Sequence, residues 1–268
     1  GWVTTHEDVT ELRRAEERIS HAAHHDALTD LANRAHFGEQ LNQALKRVGR
    51  GEHFALLYLD LDNFKFINDT LGHLSGDELL KAVAGRLQGC IRDLDTLARL
   101  GGDEFAIIQA AIERPSDVAY LAGRIQEAIK KPYDIAGHRF IVEASIGIAM
   151  SPDNGVEAEQ LLKNADLAMY QAKGNGRGTS CFFEPEMDAR VKARNTLEFE
   201  LREAIMCGQF ELHYQPVVNL RDGTITGCEA LLRWDHPERV LILPVEFIPI
   251  AEETGLINQL GEWVLRTA

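Results

Sequence analysis

The sequence predicts an α/β fold in which helices cover a mixed sheet, and three observations carry that expectation. From residue 29 to 184, strand-like runs alternate with amphipathic helical stretches. One of those runs, Phe54-Ala-Leu-Leu-Tyr-Leu59, is apolar without interruption, as a central strand buried on both faces must be. Two further runs, Thr96–Leu100 and Phe105–Gln109, flank Gly101-Gly102 in the manner of a hairpin. Helices are expected over 34–48, 76–92, 116–130 and 157–172, with strands at 139–149 and 179–183. A polar stretch around Glu184–Asp188 marks a domain boundary near 186. Beyond it come a helix over 190–207 and strands over 210–218 and 224–233, which enclose the turn Arg221-Asp-Gly223.

Residues 8–25 read as a helix. Asp8 and Glu11 have the spacing of a capping box, and Val9, Leu12, Ala15, Ile19 and Ala22 form one narrow apolar stripe. Such a stripe suits a two-helix coiled coil, and a solvated linker helix is the plainer alternative.

Composition bounds the function. The chain has 268 residues, 45% hydrophobic and 26% charged, within the globular range. A net charge of −14 argues against broad nucleic-acid binding, because the surface repels phosphate. A nucleotide remains admissible if a divalent cation bridges it to carboxylates. Four scattered cysteines without metal spacing read as reduced thiols of a cytoplasmic protein. No apolar run approaches the ~18 residues of a membrane span. The sequence begins without Met and ends within a helical pattern, which is expected of a piece of a longer chain.

The strongest chemical signal is Asp60-Leu-Asp62 directly after the buried strand, combined with Gly101-Gly-Asp-Glu-Phe105 in the hairpin turn. Period-two alternation sends Asp60 and Asp62 to one face. Asp103 and Glu104 would complete a hard-oxygen cage suited to Mg²⁺ or Mn²⁺. Gly101 and Gly102 allow a sharp turn and a close substrate approach. Four solvated turn acids would give the same spacing.

Asp60-Leu-Asp-Asn-Phe-Lys65, Asn68-Asp69, Gly72-His73, Gly76-Asp77, Arg99-Leu-Gly-Gly-Asp-Glu-Phe105 and Ala172-Lys173 with Arg177 together resemble the GGDEF family, and Asp26–Arg34 resembles its N-terminal edge. The resemblance implies a diguanylate cyclase with a nucleotidyl-cyclase-like mixed sheet over 26–186. In that family the 3′-hydroxyl of one GTP attacks the α-phosphate of another and releases pyrophosphate, and a second round closes cyclic di-GMP. Each domain holds one GTP, which implies a homodimer paired through the GGDEF domains and the helix at 8–25.

Carried across by position, Asp60 and Glu104 are expected metal ligands, with the Leu61 carbonyl assisting. Asp103 serves the metal or deprotonates the 3′-hydroxyl. Lys65, Lys173 and Arg177 match phosphate-contacting positions. Asn68 and Asp77 match guanine-reading positions, where a carboxylate accepts from N1–H and N2–H; turn and N-cap duty is their plainer reading. Arg92-Asp-Leu-Asp95 fits the family's RxxD inhibitory site for cyclic di-GMP, although such a pair is often only a surface ion pair.

Residues 1–7, running into Asp8-Val-Thr-Glu11, resemble the tail of a PAS domain. Tyr214-Gln-Pro216, Glu229-Ala-Leu231, Arg233-Trp234 and Pro244-Val-Glu-Phe247 resemble the start of an EAL domain, the cyclic di-GMP phosphodiesterase, over 187–268. There Glu229 would be the first metal ligand, with Gln215 and Arg233 touching substrate. Such TIM-like barrels need about 200 residues or more, so this stretch is expected to be an incomplete, inactive part of one. The readings are therefore an active cyclase, a non-catalytic GTP-binding module that regulates a phosphodiesterase, or a dimerisation domain that leaves the carboxylates unexplained.

Overall fold

The structure, a computed structural model, describes residues 21–268. The expected PAS tail and most of the expected coiled coil lie outside the described residues. Of that helix only His21–His24 are described, as helix, and His25 already bridges to Ala32. The chain divides between Met187 and Asp188 into two compact units.

In the first unit the elements run α1 (Arg34–Val48), β1 (Phe54–Leu61), α2 (Phe64–Leu71), α3 (His73–Gln88), β2 (Thr96–Gly101), β3 (Glu104–Gln109), α4 (Pro115–Ile129), β4 (Tyr133–Ile135), β5 (His138–Phe140), β6 (Ala144–Ser151), α5 (Ala158–Gly174) and β7 (Ser180–Phe182). The main sheet has the order β2-β3-β1-β6-β7. Only the β6–β7 pair is parallel, so the sheet is mixed, as expected.

Strand β1 is central, and its alternation separates two cores. Ala55, Leu57, Leu59 and Leu61 pack with Leu79, Val83 and Leu87 of α3 and with Val118, Leu121 and Ile125 of α4. Phe54, Leu56 and Tyr58 pack on the other face with Phe37 and Leu41 of α1 and Leu161, Ala165 and Met169 of α5. That two-sided burial is why the run is apolar throughout.

Two expectations change. The strand expected over 139–149 is divided: β4 and β5 form a hairpin around Ala136 and Gly137, both at positive φ (52° and 78°), and β6 begins only at Ala144. The helix expected over 76–92 starts earlier, at His73, and ends at Gln88. It is preceded by the short α2, where a helix was not expected. Gly72, at φ 82°, separates the two, and a Cβ on Gly76 would overlap Asn68 Oδ1, so a side chain there would displace the Asn68 amide.

The second unit holds the rest of α6 (Glu186–Cys207), β8 (Phe210–Val218), β9 (Ile225–His236), β10 (Val240–Ile242), α7 (Pro244–Thr254) and α8 (Ile257–Thr267). Its antiparallel sheet has the order β10-β9-β8. Phe210, Trp234 and Phe247 meet with ring centroids 5.7–5.9 Å apart, at the centre of a core that includes Leu201, Ile250 and Leu260.

Helix α5 lies directly on the backbone of β6 at Gly147. A Cβ there would overlap the Ala165 carbonyl and the Met169 nitrogen. A Gly147→Ala substitution is expected to cost about 1–3 kcal/mol by overpacking, read as a lower denaturant midpoint. Gly85→Ala, on α3 with nothing within 4 Å of the new Cβ, should instead be neutral or stabilising by up to about 1 kcal/mol. Equal midpoints for the two variants would contradict this packing.

Candidate active site

The β1 register places Asp60 directly between Glu104 of β3 and Ser145 of β6. Residues opposed in this way project to the same face, here the face covered by α1 and α5. From α5, Lys173 brings its Nζ to 2.8 Å from Asp60 Oδ1. From the first residue of α1, Arg34 sets Nη2 3.5 Å from Glu104 Oε2 and donates from Nε to the Leu100 carbonyl at 3.1 Å. The Tyr58 hydroxyl donates to Glu104; burial first, and then the Glu104 charge, push its pKa well up.

Negative charge exceeds what these cations offset. Burial raises the Asp60 carboxyl above the ordinary range; Lys173 pulls it back, and Asp103 and Asp62 push it up again. Asp166, two helical turns before Lys173 on α5, is raised by burial and then by Glu104, with Lys173 opposing. A crowded set of acids held partly out of water favours a bound cation, and Lys173 now stands on Asp60 in that role. The donor chemistry therefore fits a hard divalent ion, although Asp60, Asp103 and Glu104 do not by themselves bring their oxygens within 4.8 Å of one another.

Asp62 has a different task from the one expected. It is buried, accepting from Ser145 Oγ at 2.8 Å and from the Gly178 backbone at 2.9 Å, so it braces the floor and the loop after α5. The Leu61 side chain is in the core.

The turn beside Asp103 is held rigidly. Gly101 and Gly102 have φ of 145° and 52°, and the ladder shifts register between Arg99 and Gly101. Arg99 donates to the Gly102 carbonyl from Nε (3.0 Å) and Nη2 (2.7 Å), and from Nη1 to both Asp26 oxygens (2.9 and 3.2 Å). Asp26 also accepts from the Thr29 amide and hydroxyl.

Of the remaining expected residues, Lys65 is exposed on the first turn of α2, and Arg177 is exposed at φ 64° in the loop after α5. Asn68 of α2 lies against Gly76 of α3, the residue before Asp77. Arg92 and Asp95 lie apart from the carboxylates, in the turn before β2. Asp95 accepts there from the Arg92 and Ala110 amides at 2.9 and 3.1 Å, which is turn duty, while Arg92 is exposed. In the second unit Gln215 and Glu229 are direct cross-strand partners, and Arg233 shares their face four residues along β9.

Arg34, Tyr58 and Asp166 were not singled out in the sequence. Two had a signal: Arg34 closes the Asp26–Arg34 stretch, and Asp166 stands seven residues before Lys173, on the same helical face.

Comparison with known families settles the kinship. A family model described as diguanylate cyclase, GGDEF domain, matches residues 23–179. The chain belongs to the GGDEF family. In this GGDEF chain a second model, EAL domain, matches residues 198–268, so the two families stand in tandem. MucR of Pseudomonas aeruginosa, named a bifunctional diguanylate cyclase/cyclic di-GMP phosphodiesterase, is 47% identical over 260 residues, covering 97% of this chain and 38% of MucR. PdeR of Escherichia coli, named a cyclic di-GMP phosphodiesterase, is 42% identical over 258 residues, covering 96% and 39%. The coiled coil and GGDEF domain of DgcB from Caulobacter crescentus, solved in complex with c-di-GMP, aligns with a TM-score of 0.60 at 30% identity, covering 65% of this chain and 93% of that one. The chain thus spans less than two-fifths of the length of these curated relatives. No helix among the described residues is long and apolar enough to cross a membrane.

Burial alone would raise the Asp26 carboxyl, but hydrogen bonds from Thr29 and Arg99 outweigh it and hold the pKa below the ordinary 3.8. A depressed carboxyl contributes stability above its unfolded pKa, and that contribution is lost as pH falls through the folded value. Asp26→Asn is therefore expected to lower stability at pH 7 and to flatten its fall below pH ~4 in acid denaturation; an unchanged acid limb would contradict the pairing.

Proposed function

We propose that the chain is a diguanylate cyclase that converts two GTP into cyclic di-GMP and two pyrophosphates with a divalent cation. The observation that carries this reading is the pairing of Asp60 with Glu104 across β1 and β3, at the end of the sheet, within a set of acids that Lys173 and Arg34 only partly offset. Asp60, Glu104 and Asp103, with the Leu61 carbonyl, would hold Mg²⁺ or Mn²⁺. When bound, the ion neutralises the triphosphate and the charge on attacking and leaving oxygens.

The chain's own residues do the rest. Asp103 takes the proton of a 3′-hydroxyl as that oxygen bonds to the α-phosphorus of the second GTP and the bond to pyrophosphate breaks. Lys65 and Arg177 meet phosphate oxygens, and Lys173 exchanges Asp60 for phosphate when nucleotide arrives. Gly101 and Gly102 let the nucleotide approach the turn. Asp77 and Asn68 accept from and donate to the guanine edge, and adenine would leave them unpaired. One nucleotide per domain requires two chains face to face, so the working form is a homodimer. Product binds at the exposed Arg92 beside Asp95, the RxxD position; that a domain of this kind binds the product at all is supported by DgcB, solved in complex with c-di-GMP. In residues 187–268, Gln215, Glu229 and Arg233 share one face of the β8–β9 ladder and would serve the EAL part, with Glu229 as a metal ligand and Gln215 and Arg233 on substrate.

A second reading, a non-catalytic GTP-binding module of a phosphodiesterase, is favoured by the likeness to PdeR. The discriminating experiment incubates the chain with GTP and Mg²⁺ and detects cyclic di-GMP by mass spectrometry. Product from the wild type, reduced at least about 100-fold in the Asp103→Ala, Glu104→Ala variant, is the expected result. GTP binding by proven dimers without product would favour the regulatory module.

A further inference from the structure

Four histidines, none of them part of the carboxylate set just described, gather at the start of the described chain. Two sets of metal-type side chains there have ligand atoms all within 4.8 Å of one another: His24, His36 and Glu39, and His21, His25 and Asp30. We propose that His24, His36 and Glu39 form a binding site for a zinc-class divalent ion, joining the segment that leads into the domain to helix α1.

The geometry favours this trio. His24 Nε2 and His36 Nδ1 lie 3.8 and 3.4 Å from the same oxygen, Glu39 Oε2. Ligand atoms around a tetrahedral zinc, bonded at about 2.0–2.2 Å, stand roughly 3.3–3.6 Å apart, so small side-chain shifts close the site. Ring orientation matters as much as distance, because an imidazole lone pair lies in the plane of its ring. The His24 and His36 rings are close to perpendicular, at 88° with centroids 5.1 Å apart, so they are not stacked face to face. The His21 and His25 rings are stacked at 4.1 Å and 7°, so their lone pairs run side by side. His25 also donates from Nδ1 to the Asp30 carbonyl, which commits that nitrogen.

The backbone under the trio is already fixed. The Asn33 amide donates to the His24 carbonyl at 2.9 Å, and its side chain donates to the Ala23 carbonyl at 3.0 Å. Asn33 Oδ1 in turn accepts from the His36 amide as the N-cap of α1. The ligands therefore need little ordering on binding. Two histidines and one carboxylate make a borderline donor set that suits zinc better than magnesium, and three protein ligands leave a fourth position open. The site lies two residues along α1 from Arg34, the partner of Glu104.

The test is calorimetric titration of the chain with Zn²⁺ alone, in buffer without chelator. Wild type and an Asp60→Asn, Glu104→Gln variant should each bind one ion at this site. The affinity should fall at least about tenfold in His24→Ala, in His36→Ala and in the exposed-surface variant Glu39→Gln, which leaves the core untouched. Zn²⁺ should raise the thermal midpoint of the wild type and of His21→Ala, but not of Glu39→Gln. The proposal fails if the wild type does not bind, if Glu39→Gln and His36→Ala bind like wild type, or if loss follows the Asp60 and Glu104 changes or His21→Ala instead.

Discussion

Strand β1 is hydrogen-bonded along its length to β3 on one side and β6 on the other. A slip of one residue would turn Asp60 away from Glu104 and Ser145 and drive it into the core under α3 and α4. Burial on both faces prevents that slip. Leu56 and Tyr58 belong under α1 and α5, Leu57 and Leu59 under α3 and α4, and neither set fits the other side. Asp60 continues the first set at the end of β1, so the packing of these four apolar side chains fixes the place of one acid.

Around that acid the fold concentrates charge it would otherwise avoid. Asp60 and Asp166 are both pushed toward their neutral forms by burial and by neighbouring carboxylates, a cost to the folded state that a bound cation would offset. Lys173 and Arg34 moderate it from two different helices, α5 and α1. The position of α5 depends in turn on the missing Cβ of Gly147, and the loop after α5 is tied by the Gly178 amide to Asp62. The Asp103 turn is held from elsewhere, by Arg99 and Asp26. Three separate anchors thus converge on one set of carboxylates.

How much of this was legible follows from how local each signal is. The uninterrupted run 54–59, the hairpin about Gly101-Gly102 and the helix at 34–48 rest on local pattern and stand where the sequence put them, and the helix expected over 157–172 is found at 158–174. The expected strand over 139–149 breaks at 141–143, between β5 and β6, where no Gly or Pro marks the break, and the turn before β5 uses Ala136 at positive φ, which carries no turn signature of its own. Asp62 lost its expected place because its fate depends on Ser145 and Gly178, which are remote in sequence. Arg34, Tyr58 and Asp166 reach Glu104 only through tertiary packing. The meeting of His24 with His36 was equally hidden, since it depends on the chain turning back at Asn33. The family resemblance named the carboxylates; the contacts that set their chemistry became visible only in three dimensions.

The most direct test of the central claim is an anomalous-scattering map from crystals grown with Mn²⁺ and a non-hydrolysable GTP analogue. A manganese peak about 2.1 Å from carboxylate oxygens of both Asp60 and Glu104, with Lys173 moved from Asp60 to phosphate, is the result this account predicts. Bound nucleotide with no manganese at Asp60 and Glu104 would contradict it.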